Sequence, residues 1–167
     1  MSTDTILLAE DDPNDVILFQ RAMERASLDV DSLKVVQDGE QAISYLSGQG
    51  VYADRDLYPL PALLLLDLKM PRKSGLEVLS WLRKQPQLRY LIVVFFTSSN
   101  STEDVRLAYD AGANSYLVKP VDFTEMVEMI RNVCFYWLEL NEKFPLSAAS
   151  ASSEGGRKPN GHWEVAS

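Results

Sequence analysis

Four short apolar segments of the sequence each end in a polar side chain that has a place in metal or phosphoryl chemistry. Consecutive leucines at positions 63–66 lead directly into Asp67, where packing gives no reason for a carboxylate. The polar residues after the other three segments are Glu10-Asp11-Asp12, Thr97-Ser98 and Lys119. If the segments are neighbouring parallel strands, these groups meet at one edge of a sheet and together could hold a metal ion and a phosphoryl group.

The acidic residues predict a site for a hard divalent cation. Mg²⁺ in proteins takes oxygen ligands, usually one or two carboxylates with water and phosphate oxygens. Glu10, Asp11 and Asp67 supply the carboxylates if the first and third strands are neighbours. Because crowded carboxylates repel one another, the cluster favours binding a cation. We therefore expect Mg²⁺ as the cofactor.

With a cation in place, Asp67 has the character of a phosphoryl acceptor, as aspartate has in covalent phosphoenzymes. The Thr97 hydroxyl and the Lys119 ammonium could contact the phosphoryl oxygens, and such positioning and charge neutralisation do most of the work of phosphoryl transfer. Each residue alone has an ordinary explanation, because Asp67 and Thr97 could cap helices and Lys119 could be a solvated surface charge. Their occurrence together at the ends of consecutive strands favours the chemical interpretation.

Short apolar runs alternate with amphipathic stretches along the chain, a pattern typical of a parallel α/β sheet. The predicted strands are residues 5–9, 33–36, 62–66, 91–96 and 115–118, and the predicted helices are residues 13–26, 39–47, 74–84, 101–111 and 122–142. Strands this apolar are buried on both faces, which requires helices on both sides. Right-handed crossovers then predict a doubly wound, five-stranded parallel sheet with five helices.

Bulk composition narrows the class of protein. A net charge of −8, from 16 basic and 24 acidic residues, argues against nucleic acid or an anionic membrane as the main partner. No apolar stretch approaches the ~20 residues of a membrane span, and the first five residues lack the features of a signal peptide. The single cysteine, Cys134, cannot form an internal disulfide, so we expect a cytoplasmic protein.

The 167 residues suffice for one domain of ordinary size. Near residue 145 the composition changes to serine, alanine, glycine and proline, which predicts a folded domain over residues 1–144 and a disordered tail over residues 145–167. The single histidine, His162, falls in this tail, so histidine-based catalysis or a phosphohistidine step in the folded domain is not expected. Residues 48–61 form an extended loop that we interpret as a surface insertion.

One set of residues is specific in its order and spacing. It consists of Glu10-Asp11, Asp67 in Asp-Leu-Lys-Met-Pro-Arg-Lys-Ser-Gly, Thr97-Ser98, Tyr116 and Lys119-Pro120. This set resembles the response-regulator receiver domains of two-component signalling, over residues 5–140. Residues 33–40, the loop before the third strand, residues 108–116 and the aromatic last helix resemble the standalone receivers paired with phytochrome-type sensor kinases.

The resemblance implies a flavodoxin-like strand order, 2-1-3-4-5, and a signalling protein that catalyses only its own phosphorylation and dephosphorylation. Asp67 is the expected acceptor of a phosphoryl group from a sensor histidine kinase. Asp11 is the main carboxylate on Mg²⁺, Glu10 acts mostly through water, and the backbone carbonyl of Lys69 completes the site. Asp12 has no assured role in the family, and we interpret it as a helix-start charge.

The same resemblance implies a switch. Thr97 would move inward to bond the phosphoryl group, and Tyr116 would rotate from an exposed to a buried position. Lys119 pairs with Asp67 or its phosphate, and its bond to Pro120 is expected to be cis. Two roles are open for Lys69. Its ammonium either pairs with the acids or the phosphate and alters the lifetime of the phosphorylated form, or it is solvated above the site.

The last predicted helix carries two apolar stripes, of which one suits the core. The core stripe is Phe123, Met126, Val127, Ile130, Cys134 and Trp137, and the second stripe is Met129, Val133, Tyr136, Leu140 and Phe144. A second apolar face on a surface helix is typical of an interface. We therefore predict a homodimer through this helix, unless Phe144 and Leu146 fold back to cover the second stripe. An unidentified downstream protein is the other expected partner.

The sequence bears on three alternative functions. A phosphatase of the haloacid-dehalogenase type requires a second aspartate two residues after the nucleophile, where this chain has Lys69. Nucleotide binding requires a glycine-rich loop after the first strand, whereas Glu10-Asp11-Asp12 would repel phosphate without a cation. The alternative that stays open is a receiver-like dimerisation scaffold that is never phosphorylated.

Overall fold

The computed structural model describes residues 4–146. The apolar runs form five strands, β1 (Ile6–Ala9), β2 (Leu33–Val36), β3 (Leu63–Leu66), β4 (Ile92–Thr97) and β5 (Ser115–Val118). All neighbouring strands are parallel, and their order is β2-β1-β3-β4-β5. The predicted flavodoxin-like sheet is therefore confirmed. Thr97 is the last residue of β4 and not the residue after it.

Within residues 4–146, four α-helices connect successive strands, α1 (Pro13–Arg25), α2 (Gly39–Ser47), α3 (Gly75–Arg83) and α4 (Thr102–Asp110), and a fifth, α5 (Phe123–Cys134), follows β5. Each begins after a residue whose side chain accepts a hydrogen bond from a backbone N–H of the first turn. These caps are Asp12, Asp38, Ser74, Ser101 and Asp122. Such caps satisfy N–H groups that have no partner within the helix, so they fix where each helix begins.

Alternate residues of the strands point to opposite faces of the sheet and build two cores. On one face, Leu64, Leu66 and Phe95 pack with the buried residues of α2, α3 and α4. On the other face, Leu65 and Phe96 pack with those of α1 and α5. The helices therefore cover both faces of the sheet, and the carboxyl ends of β1, β3, β4 and β5 are left free to build a site.

The extended loop before β3 is packed against α2. Its residues Gly50–Tyr52 form a short 3₁₀ helix, and the rings of Tyr45, Tyr52 and Tyr58 contact one another with centroids 5.1–5.9 Å apart. The Arg55 guanidinium donates to the carbonyl oxygens of Tyr45 (2.8 Å) and Leu46 (2.9 Å) at the end of α2. This insertion therefore stabilises the C-terminus of α2, far from the carboxyl edge of the sheet.

The last helix differs from the prediction in three ways. The α-helix ends at Cys134 and continues as a π-helical segment, Phe135–Leu140, after which the chain is extended. The wider π turn breaks the 3.6-residue period on which the two stripes depended. Phe144, which was counted in the second stripe, lies in the chain after this segment and packs on the ring of Tyr90, with centroids 4.6 Å apart. Phe123, which was assigned to the core stripe, is 41% exposed.

Most of the predicted tail, residues 147–167, lies outside the described residues. Of its first two residues, Leu146 is described as half-buried against the core on the α2–α4 face. The boundary at residue 145 stays a prediction. Within residues 4–146, none of the helices has the length and apolar character that crossing a membrane would require.

Candidate functional site

Asp67 follows directly on β3, and the backbone around it leaves little freedom. Its N–H donates to the carbonyl oxygen of Ala9 (3.0 Å), and its Oδ1 accepts from the N–H of Leu68 (2.8 Å). A side chain on Gly75 would place Cβ 2.2 Å from the Asp67 carbonyl oxygen, so the start of α3 can approach this closely only as glycine. Because Ser74 caps α3, the alternative that Asp67 is a helix cap is wrong.

The predicted carboxylates come together. Oxygens of Glu10, Asp11 and Asp67 lie within 4.8 Å of one another, with Glu10 and Asp67 buried and Asp11 exposed. Oxygen-only ligands in such a group suit a hard divalent cation such as Mg²⁺. Asp12 does not take part: its Oδ1 accepts from the Asn14 N–H (2.9 Å) and caps α1, as predicted for a helix-start charge.

Lys119 brings a positive charge into the acidic group. Its Nζ is hydrogen-bonded to Glu10 Oε2, donates to Asp15 Oδ2 (2.9 Å) and lies 3.6 Å from Asp67 Oδ2. Only 8% of its side chain is exposed. The predicted pairing with Asp67 is therefore an ion pair without a hydrogen bond, and the closer partners are Glu10 and Asp15.

Burial and pairing change the proton affinity of this pair. Burial raises the pKa of Glu10 to about 7, although hydrogen bonds from Lys119 and from the Asp12 N–H oppose it. Burial lowers the pKa of Lys119, but hydrogen bonds to Asp15 and Glu10 outweigh this effect and raise it to about 12. The ammonium therefore stays charged at neutral pH, and it compensates part of the negative charge beside Asp67.

Thr97 and Tyr116 lie on neighbouring strands, β4 and β5. The carbonyl oxygen of Thr97, a buried residue, accepts from the Lys119 N–H (2.8 Å). Tyr116 is half-buried and packs on Phe95 with centroids 5.9 Å apart. Its hydroxyl donates to the Ser99 carbonyl oxygen (2.9 Å), so it is bonded to the loop that follows Thr97.

The expected cis bond between Lys119 and Pro120 is wrong for this structure, where the bond is trans. An X–Pro bond prefers trans by only about 0.5–1 kcal/mol, so the dipeptide alone does not determine the isomer. In this structure the Lys119 N–H donates to the Thr97 carbonyl oxygen, and the Lys119 ammonium is hydrogen-bonded to Glu10.

Lys69 and the predicted dimer residues differ in their burial. The Lys69 side chain is exposed and makes no ion pair within residues 4–146, which favours a solvated lysine. Met129 and Val133 are half-buried beside the α1–α5 core, whereas Tyr136 and Leu140 are 51% and 59% exposed. The Lys69 carbonyl as a metal ligand and the dimer interface both stay predictions.

Sequence reasoning missed Asp15 and Ser99. Asp15 lies in the first turn of α1, four residues after Asp11, and an acidic residue there is ordinarily explained by the helix dipole. Ser99 contributes through its backbone carbonyl, which leaves no trace in residue type. The available signal for Asp15 was its place on the first helical turn beside the edge of the sheet.

Comparison with known proteins agrees with this geometry. A family model described as the response regulator receiver domain matches residues 6–131. The response regulator Rcp1 of Synechocystis sp. is 35% identical over 134 residues, which cover 80% of this chain and 88% of Rcp1. The Mn²⁺-bound structure of Rcp1 has a TM-score of 0.75 at 33% identity, covering 85% of this chain and 99% of Rcp1.

Two further structures are similar. Phosphorylated RcpA, a cyanobacterial phytochrome response regulator, has a TM-score of 0.76 at 30% identity and covers 84% of this chain and 97% of its own. RPA3017 of R. palustris, a response regulator in red light signaling, has a TM-score of 0.80 at 37% identity, with 85% and 99% covered. With the sheet order, the acidic group and the matched family model in agreement, the chain belongs to the response-regulator receiver family.

Proposed function

We propose that this protein accepts a phosphoryl group on Asp67 from a sensor histidine kinase, in a reaction that requires Mg²⁺. The observation that carries the proposal is the surroundings of Asp67, a buried carboxylate whose oxygens lie near those of Glu10 and Asp11 and 3.6 Å from the Lys119 ammonium. Structural packing alone gives no reason to bury two acids, Glu10 and Asp67, together with the side chain of Lys119 at the carboxyl end of a sheet.

In the proposed reaction the Asp67 carboxylate attacks phosphorus, and the bond from phosphorus to the donor breaks. Glu10, Asp11, Asp67 and the Lys69 carbonyl would hold Mg²⁺, which supplies positive charge to the phosphoryl oxygens. Lys119 neutralises further charge on the transferred group, and the Thr97 hydroxyl donates to one of its oxygens. Preorganised charges of this kind stabilise the transition state for phosphoryl transfer.

The signal would leave the site through the loop after β4. A phosphoryl group adds charge and acceptor oxygens beside Thr97. Movement of Thr97 displaces Ser99, to which the Tyr116 hydroxyl is bonded. The fraction of molecules in which Tyr116 is buried would then increase, and this would change the surface formed by α4, β5 and α5. A receiver that acts in this way signals by binding a downstream protein, and it catalyses no reaction other than its own phosphorylation and dephosphorylation.

A phytochrome-type kinase is the proposed phosphoryl donor, because RcpA, which resembles this chain over most of its length, is a phytochrome response regulator. The proposed location is the cytoplasm, where such a kinase would meet it. Self-association through the last helix is part of the proposal, supported by the exposure of Phe135, Tyr136 and Leu140. The same exposed residues support the alternative of a scaffold that is never phosphorylated.

Intact-mass spectrometry after incubation with acetyl phosphate tests the proposal. The wild type is expected to gain one phosphoryl mass when Mg²⁺ is present and none after chelation, and Asp67→Asn is expected to gain none. Asp12→Asn is the matched control, since it removes an adjacent acid that caps α1 and lies outside the acidic group. A folded wild type that gains no mass with Mg²⁺ present would favour the scaffold.

A further inference from the structure

The charges of the site converge on Lys119. An ammonium has three N–H donors, and here Glu10 and Asp15 take one each. The nearest oxygen of Asp67, at 3.6 Å, is too distant for a hydrogen bond. The position of the positive charge relative to Asp67 is therefore determined by the two other carboxylates.

Glu10 alone does not fix the position of the Lys119 ammonium, because the Glu10 carboxylate has other partners. Oε1 accepts from the Asp12 N–H (3.0 Å), and Oε2 accepts from Lys119. Glu10 also belongs to the group of three acids that would hold a cation. A carboxylate that shares its charge with a divalent cation attracts an ammonium less strongly. With a cation bound, Glu10 would therefore attract the Lys119 ammonium less strongly than it does in the metal-free site.

Asp15 has no such competing partner. It lies in the first turn of α1, outside the group of three acids. Within residues 4–146, the hydrogen bond to Lys119 is the only one that its side chain makes. The cap at Asp12 orders this turn of the helix, so the Asp15 carboxylate is held on a rigid element within hydrogen-bond distance of the Lys119 ammonium.

We propose that Asp15 is a positioning residue that holds the Lys119 ammonium beside Asp67 while Glu10 is engaged elsewhere. Asp15 touches neither Asp67 nor the transferred group, so its effect on the reaction passes through Lys119. This inference rests on the proposed phosphorylation of Asp67. It extends it by assigning a role to a residue that contributes neither a metal ligand nor a phosphoryl contact.

The bond between Asp15 and Lys119 can be tested without phosphorylation. Amine acetylation followed by peptide mass spectrometry measures how fast each lysine reacts, and the exposed Lys69 is the internal reference. Asp15→Asn is expected to make Lys119 react roughly threefold faster, because one charge-assisted hydrogen bond is lost. Asp15→Glu, which keeps the carboxylate, and the control Asp12→Asn, whose side-chain oxygen can still cap α1, are expected to leave the wild-type rate nearly unchanged. An unchanged Lys119 rate in Asp15→Asn overturns the proposal.

The rate of phosphorylation by acetyl phosphate at saturating Mg²⁺ then tests the consequence. Asp15→Asn is expected to react roughly threefold to tenfold more slowly than wild type, with the dissociation constant for Mg²⁺ unchanged and with partial recovery in Asp15→Glu. In a Lys119→Met background, Asp15→Asn is expected to have no further effect.

A rate loss of equal size in the Lys119→Met background would mean that Asp15 acts only by stabilising α1, and it would overturn the proposal. An Asp15→Asn variant that is phosphorylated as fast as wild type would do the same. If the wild type takes up no phosphoryl group, the proposed function fails, while the acetylation rates still report separately whether Asp15 holds Lys119.

Discussion

The hydroxyl of Tyr116 on β5 donates a 2.9 Å hydrogen bond to the carbonyl oxygen of Ser99, two residues after Thr97. The Ser99 hydroxyl in turn donates to Asp104 in the first turn of α4. A chain of bonds therefore runs from β5 through the loop after β4 to the first turn of α4. The movement of Thr97 proposed for phosphorylation of Asp67 would displace Ser99, on which both bonds depend.

Removal of the Tyr116 hydroxyl should loosen this loop without affecting the chemistry. Tyr116→Phe keeps the ring that packs on Phe95 and loses one hydrogen bond, which contributes about 1 kcal/mol. We expect faster amide hydrogen exchange at residues 98–101 and an unchanged rate of phosphorylation by acetyl phosphate. Identical exchange in the variant and the wild type would show that the bond does not order the loop.

The group of Glu10, Asp11 and Asp67 leads us to predict how single substitutions change the affinity for Mg²⁺. Asp11→Asn removes one carboxylate from the three that lie together and should weaken Mg²⁺ binding at least tenfold by calorimetry, since a coordinating charge is lost (about 1.4 kcal/mol per factor of ten). Asp12→Asn, which changes a neighbouring acid outside the group, should bind Mg²⁺ with nearly the wild-type affinity. Equal losses in the two variants would mean that only the general negative potential matters.

The sequence was sufficient to predict the sheet and the meeting of Glu10, Asp11 and Asp67 at its edge, because both depend on strong local signals. Runs of apolar residues such as Leu63–Leu66 identify buried strands, and Asp67 is conspicuous at the end of such a run. Asp15 was missed because its partner, Lys119, is 104 residues away. The stop of α5 at Cys134 was missed for a related reason, because residues 135–140 continue an apolar helical pattern although the backbone widens to a π-helix.

We predict that the stability of the protein and the reactivity of the Cys134 thiol both depend on pH. Burial raises the pKa of its thiol to about 12 from an ordinary value of 9.0, so the folded protein holds this proton more tightly than the unfolded chain does. The resulting contribution to stability is present below pH 9 and is lost as the pH rises towards 12. At pH 8 the thiolate, which is the reactive form, should be about 1000-fold scarcer in the folded protein.

Disulfide exchange with a chromogenic aromatic disulfide measures this difference. We expect slow reaction of the native protein at pH 8 and rapid reaction of one thiol per chain in denaturant, with Cys134→Ser as the blank. Rapid reaction of the native protein would mean that the thiol is exposed by frequent local opening.

For self-association, we predict different roles for the exposed residues of the last helix and for Phe144. Tyr136 and Leu140 are 51% and 59% exposed on the π-helical segment, whereas the Phe144 ring packs on Tyr90 in the same chain. If the segment is a dimer interface, Leu140→Arg should place an unpaired charge in it and raise the dissociation constant at least tenfold in analytical ultracentrifugation.

Phe144→Ser is the matched control for that experiment, because it removes an apolar ring of similar exposure from a position outside the helix. It should lower thermal stability through the lost contact with Tyr90 while leaving the dissociation constant unchanged. A wild type that sediments as a monomer at high concentration, with and without acetyl phosphate, would exclude the dimer. A larger effect of Phe144→Ser than of Leu140→Arg would instead place the interface at the end of the sheet near Tyr90.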